Sequence, residues 1–187
     1  EMMKKIYDER VQSKKLMILA KQEYEKTPTK ELEKSISKYN NIQMARKIQL
    51  NSAYGAIGNQ YFRYYNIINA EAITLSGQVS IRWIEHEMNK YLNKILKTEK
   101  QDYVIASDTD SIYLNLGPLV DAVYKGREKT DQSVVGFLNT VCEDKLEPFI
   151  SRSYEALATY VNAYEQKMIM KRENIASTGI WTAKKRY

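Results

Sequence analysis

One cysteine, Cys142, and one histidine, His86, are all that the 187 residues supply of those two types. A lone thiol closes no internal disulfide, and one His–Cys pair so far apart in sequence builds no zinc site, so both kinds of scaffold are excluded. Glycine (7) and proline (3) are sparse, and there is no internal repeat, collagen-like period or low-complexity tract. Long apolar runs are missing as well: Leu16 to Ala20 is among the longest, far below the ~20 residues of a membrane span. No charged-then-apolar leader opens the chain. The expectation is a soluble protein of the cytoplasm with no membrane partner.

What is present is ordinary for a globular chain, 43% apolar and 28% charged residues, long enough to hide roughly 70% of its unfolded surface in one or two domains. The net charge of +6 is unevenly placed. Residues 1–58 hold 12 Lys/Arg against 7 Asp/Glu, +5, whereas residues 59–187 hold 17 against 16, +1. A basic first third suits a partner carrying phosphates, and equally a solvated helix face. Both ends read as cut: the chain opens inside a helical pattern at Glu1 to Ile6 and stops on the basic aromatic run Lys184 to Tyr187.

Apolar residues at Met3, Ile6, Tyr7, Met17, Ala20 and Tyr24 predict a helix over residues 2–26. Thr27-Pro28-Thr29 breaks it, with Thr27 as a cap and Pro28 opening the next helix. That second helix is expected from about Thr29 to Tyr54, with Leu32, Ile36, Tyr39, Met44 and Ile48 among its apolar positions and Gly55 and Gly58 closing it. So short a connection predicts an antiparallel hairpin. A third helix from about Asn69 shows Gly77, Ile81, Ile84, Met88, Tyr91 and Ile95 as a buried face that packs on a sheet. Tyr103–Ala106 and Ser111–Leu114 read as a β-hairpin around the polar stretch Ser107–Asp110. Residues 133–166 look helical with a break at Pro148, and Lys167–Met170 and Ile180–Tyr187 look like strands.

Three groupings carry chemistry. On a helix, Lys47, Asn51, Tyr54 and Gly55 share one face at i, i+4, i+7 and i+8. It offers an ammonium for phosphates, an amide and a phenol for a base pair, and a bare backbone for close approach. In a hairpin turning near Pro28, residue 10 lies opposite residue 46, so Arg10, Lys14 and Lys47 come to one level. Three cations there without nearby acids favour an anionic guest such as a triphosphate. Asp108 and Asp110, at i, i+2 near a hairpin tip, repel unless a pKa rises or a divalent cation joins them, and hard oxygen donors favour magnesium or manganese. An acidic turn without chemistry has the same pattern. Finally, strand alternation places Lys185 and Tyr187 on one face and Lys184 and Arg186 on the other, as a nucleic-acid backbone contact or a charged edge strand.

In order and context these groupings resemble the polymerase domain of family B DNA polymerases, in wording closest to the replicative enzymes of tailed phages. Lys47 to Gly55 is similar to the family's K-x-x-x-N-S-x-Y-G motif, Asp108 to Ser111 to D-T-D-S, and Lys184 to Tyr187 to K-K-R-Y. The resemblance covers essentially the whole chain, including Gly58-Asn59 and Phe62-Arg63-Tyr64-Tyr65. It implies an α+β fold, with residues 1–58 a fingers helical hairpin joined to a partial palm, residues 59–187, whose antiparallel sheet packs on helices. It further implies template-directed DNA synthesis. Arg10, Lys14, Lys47 and Asn51 would hold the incoming dNTP, while Tyr54 and Gly55 line the nascent pair and template. Asp110, with Asp108 the weaker ligand, would bind catalytic metal, two Mg2+ ions in the complete enzyme, with Mn2+ as substitute. Lys184, Lys185, Arg186 and Tyr187 would meet the primer-template DNA, Lys185 in the minor groove. A sliding clamp is implied as a partner through regions outside this chain. The spacing from Lys14 to Lys47 is short beside some phage relatives, and the stretch from Arg172 to Trp181 has few glycines. The family's upstream palm aspartate, exonuclease motifs and thumb are not found, so this fragment alone is expected to be inactive. The alternatives are a non-catalytic nucleic-acid-binding module and a helical interaction protein.

Overall fold

The computed structural model describes residues 2–126 and 129–183. The chain falls into two compact units, Glu1–Ile73 and Thr74–Tyr187.

The first unit is built on α1 (Met2–Lys26) and α2 (Lys30–Ile57). Along α1 the residues drawn at least partly out of solvent include Ile6, Arg10, Ser13, Met17, Ala20 and Tyr24, alternating by four and three. Along α2 they include Leu32, Ile36, Tyr39, Gln43, Arg46, Leu50, Ala53 and Ile57, in the same alternation. Matching seven-residue stripes are the pattern of two helices packed side by side, each residue of one seated between residues of the other. The stripe on α1 narrows to small side chains at Ser13 and Ala20, which are buried. An ion pair from Glu9 to Arg46, Oε2 to Nη2 at 2.7 Å, fixes the antiparallel register. Apolar Met44 and Ile48 lie off the stripe and are 47% and 63% exposed, and Tyr7 is 51% exposed. Gln43 and Arg46 hold the inward positions instead. Thr29, not Thr27, is the cap: its hydroxyl oxygen accepts from the N–H of Leu32 at 3.3 Å, leaving Pro28 just outside the helix. α2 runs through Gly55 and stops at Gly58.

α3 (Ile67–Leu96) begins in the first unit and leads into the second. There Ile84, Met88 and Leu92, at i, i+4, i+8, are fully buried. They pack with Tyr103, Val104, Cys142, Leu146, Ile150, Tyr154 and Leu157 in one apolar core. Ile95, expected on that face, is 46% exposed; the buried row passes through Leu92. α3 is tied to α6 (Glu147–Tyr160) by stacking of Tyr91 on Phe149, with ring centroids 4.2 Å apart. The Trp83 indole N–H donates to the Ser153 carbonyl at 3.0 Å. Strands β1 (Val104–Asp108) and β2 (Ser111–Leu114) form an antiparallel pair, with Asp108 opposite Ser111 and an irregularity between Val104 and Ala106. α4 (Gly117–Val123) and α5 (Asp131–Val141) follow.

The expected break at Pro148 takes the form of a π-helical turn, Cys142–Leu146, in which the Glu147 N–H reaches back to the Cys142 carbonyl. Proline lacks an N–H and its ring collides with the carbonyl four residues before it; the wider turn leading into Pro148 avoids that collision. Lys167–Met170 is irregular coil with no ladder pairing among the described residues. In the stretch expected to form the last strand, Ile180–Tyr187, Ala183 makes an isolated bridge, and residues 184–187 lie outside the described residues. Among the described residues no helix is long and apolar enough to cross a membrane. The architecture is α+β, mostly helical with one small antiparallel sheet.

Candidate active site

Each unit presents one group of candidate residues. In the first, the Glu9–Arg46 pair sets the level of the others. With 1.5 Å of rise per residue, Arg10 lies within ~3 Å of Lys47 along the hairpin axis, and Lys14 roughly 6 Å further on. Lys14 and Lys47 are exposed, whereas Arg10 is half-buried. The level is not free of acids as expected, because Glu9 stands there. Its carboxylate engages Arg46, which also donates to Gln49 at 2.8 Å. Among the described residues, the Nε atoms of Arg10 and Arg46 are both buried without a hydrogen-bond partner. Arg46 and Glu9 were missed from sequence because only the packed register makes them a pair.

Asn51, Tyr54 and Gly55 follow on α2, all exposed. Gly55 sits inside the helix, three residues before its cap, where glycine costs about 0.5–1 kcal/mol relative to alanine. No local crowding demands it: among the described residues a Cβ built there meets nothing within 4 Å. Gly55→Ala is therefore expected to raise stability by roughly 0.5–1 kcal/mol, seen as a higher melting temperature in thermal unfolding. Beyond α2, Tyr61 and Tyr64 are 88% and 68% exposed, with the Arg63 guanidinium 5.5 Å from the Tyr64 ring centre.

In the second unit Asp108 ends β1 and Asp110 belongs to the tip, so the turn is two residues, Thr109-Asp110, rather than the four from Ser107. The Asp110 N–H donates to the Asp108 carbonyl at 2.5 Å. Thr109 is forced to a φ of 53°, a left-handed conformation that a β-branched residue adopts only under strain from its surroundings. Its hydroxyl donates to the Asp108 carboxylate at 2.9 Å, and the Ser111 hydroxyl donates to the Asp108 carbonyl at 3.2 Å. Asp108 is half-buried and Asp110 exposed. Tyr154 of α6, 5% exposed, was not foreseen. Burial first, and then the Asp110 charge, push its phenol above the ordinary tyrosine range, so the tip rests near the edge of the core. No sequence signal 44 residues away marks that neighbour. Among the described residues no three acids, histidines or cysteines gather as a metal cage.

The chain after α6 is held at two points. Arg172 donates its backbone N–H to Glu147 at 3.1 Å, and its guanidinium meets Asn139 and, at 3.9 Å, Glu143. Asn139 and Glu147 flank the π-helical turn, and Glu143 lies within it. Beneath it, burial outweighs the Arg172 charge and pushes the Cys142 thiol up. Further on, the Trp181 ring meets Tyr113 of β2 edge-on, with centroids 5.4 Å apart. A Cβ on Gly179 would lie 2.9 Å from that indole, so the glycine makes room for it. Lys184, Lys185, Arg186 and Tyr187 lie outside the described residues.

The whole chain, residues 1–187, matches the family described as DNA polymerase family B. It is 42% identical over 165 residues to the DNA-directed DNA polymerase of Enterobacteria phage T4, covering 84% of this chain and 18% of that protein. It is 40% identical over 153 residues to the DNA-directed DNA polymerase of Escherichia phage RB69, covering 78% of this chain and 17% of that protein. The chain thus spans less than a fifth of the length of these two relatives.

Proposed function

Because the chain belongs to DNA polymerase family B, we propose that it serves template-directed DNA synthesis, as part of an enzyme that transfers a nucleotide from dNTP to a primer 3′-hydroxyl. The observation that carries this reading is the acidic tip. A strained two-residue turn brings Asp108 and Asp110 together at the end of a hairpin anchored in the core, a costly arrangement of like charges for a part with no task.

In the reaction the primer 3′-oxygen bonds to the α-phosphorus of the dNTP, the bond to the pyrophosphate oxygen breaks, and the hydroxyl proton is released. Arg10, Lys14 and Lys47 offset the negative charge of the triphosphate and of departing pyrophosphate. Positioning and charge neutralisation are the main protein contributions in such transfers. Asn51 completes the nucleotide site, Tyr54 and Gly55 meet the nascent pair and template, and Lys184, Lys185, Arg186 and Tyr187 meet primer-template DNA. Asp110 and Asp108 are hard oxygen donors that fit one side of a Mg2+ site. Two such ions, or Mn2+ in their place, would supply Lewis acidity and charge neutralisation. Residues 1–58 correspond in this reading to fingers and 59–187 to part of a palm, with the compact units dividing somewhat later, after Ile73. A purely nucleic-acid-binding module is the alternative, disfavoured because acids facing a phosphate backbone weaken binding.

The test is primer extension with Mg2+ by a full-length polypeptide containing this chain. Template-matched incorporation supports the proposal. DNA binding of ordinary strength without any incorporation would leave the binding module instead.

A further inference from the structure

Between α3 and β1 lies a link, residues 97–103, that packs an unusual amount of polar bonding into a short stretch. Lys97 and Lys100 adopt φ of 53° and 54°, left-handed conformations unfavourable for a residue with a side chain. The Thr98 N–H closes the end of α3 on the Asn93 carbonyl at 3.0 Å, the wrapped helix ending that glycine usually provides. Here two asparagines, one turn apart on α3, hold the shape. Asn93 treats Gln101 as a neighbouring strand would: its amide donates to the Gln101 carbonyl at 2.7 Å and its oxygen accepts the Gln101 N–H at 3.0 Å. The same oxygen accepts the Thr98 hydroxyl at 2.8 Å, and Thr98 bonds the Tyr103 hydroxyl at 2.8 Å.

Asn89 acts on the strand itself. Its side-chain oxygen accepts the N–H of Tyr103 at 2.8 Å and that of Val104 at 3.3 Å, while its amide donates to Asp102 at 2.8 Å. Tyr103 is fully buried, so its N–H has no recourse to water, and an unmet buried donor is costly. β1 therefore starts at the height on α3 that Asn89 dictates. Four residues later it delivers Asp108, roughly 13 Å along a stiff strand.

We propose that Asn89, supported by Asn93, is a positioning residue for nucleotidyl transfer: through β1 it sets where the Asp108–Asp110 tip stands. This rests on the function proposed above. The strained link is over-determined by side chains whose combined effect is to fix one strand origin, and a displacement of about 1 Å at reacting groups can cost 10²-fold in rate.

The experiment uses a full-length polymerase containing this chain and compares Asn89→Leu, the swapped pair Asn89→Asp/Asp102→Asn, and Leu146→Ala. The last variant opens a cavity in the same core and serves as a matched loss of stability. Asn89→Leu is expected to lower kcat roughly tenfold, with KM for dNTP and affinity for primer-template within about twofold of wild type. It should raise the Mg2+ concentration for half-maximal rate about threefold and speed amide hydrogen exchange across residues 104–114. The swapped pair Asn89→Asp/Asp102→Asn, which still accepts both N–H groups and keeps a donor facing an acceptor where Asn89 meets Asp102, is expected to recover kcat to within about threefold of wild type. Leu146→Ala should lower the melting temperature without moving the Mg2+ midpoint. The inference is overturned if Asn89→Leu changes only the melting temperature, if Leu146→Ala shifts the Mg2+ midpoint equally, or if the swapped pair is no better than Asn89→Leu. Should Asp110→Asn prove fully active in the same background, the functional reading itself fails, an outcome separable from these.

Discussion

Asp110→Asn in a full-length polymerase containing this chain is expected to cut nucleotide addition on the order of 10³-fold or more, while primer-template affinity stays within about twofold. The amide keeps the volume of the carboxylate, and the backbone bond from the Asp110 N–H to the Asp108 carbonyl is retained. What is removed is one unit of negative charge and a hard oxygen donor at the point where a divalent cation would sit. Single-turnover extension and a DNA-binding titration check the two halves separately. Wild-type extension rates by the variant would end the assignment of the tip.

Lys47→Ala is expected to lower kcat/KM for dNTP by about 10²-fold, or ~3 kcal/mol of transition-state stabilisation. Affinity for primer-template should change little. Lys47 follows Arg46, whose guanidinium is committed to Glu9 and Gln49, so the exposed Lys47 ammonium is the freer cation at that level. Pre-steady-state incorporation over a range of dNTP concentrations measures this. A fall in DNA affinity with unchanged nucleotide kinetics would make Lys47 a duplex contact.

The helices were legible where a periodic pattern met a clear stop. α1 ends at Lys26 as Thr27-Pro28 predicts, and the short connection forces the antiparallel hairpin. Which side turned inward was less legible. Apolar Met44 and Ile48 lost to Gln43 and Arg46, because a stripe shared by two straight helices is chosen by spacing along both, and a long cation can bury its stem while its head finds Glu9. The acidic hairpin was readable from β-rich runs around Ser107–Asp110. Its tightness was not: a threonine at positive φ contradicts local preference and is imposed by the pairing of Asp108 with Ser111. Lys167–Met170 carries a strand-like composition, yet Arg172 is drawn to the helical turn at Glu143 and Glu147, a long-range attachment with no local signature. Nothing in the sequence singles out Asn89 and Asn93, since only the returning link reveals what they hold.

The π-helical turn sets where this part of the chain tolerates a change in length. It holds one residue more than an α-helical turn, so deleting one from Cys142–Leu146 would let an ordinary α-helix run through with the following residues on their present face. Deleting one between Leu146 and Ile150 would instead rotate all that follows by about 100°, and Ile150, Tyr154 and Leu157, now in the core, would swing away together. The helical hairpin is the opposite case, since whole heptads added on both sides of Thr27–Thr29 would lengthen it while leaving Arg10, Lys14 and Lys47 at their mutual levels. Insertions and deletions tolerated among relatives should therefore gather at the hairpin tip and avoid the α-helical stretch between Leu146 and Ile150.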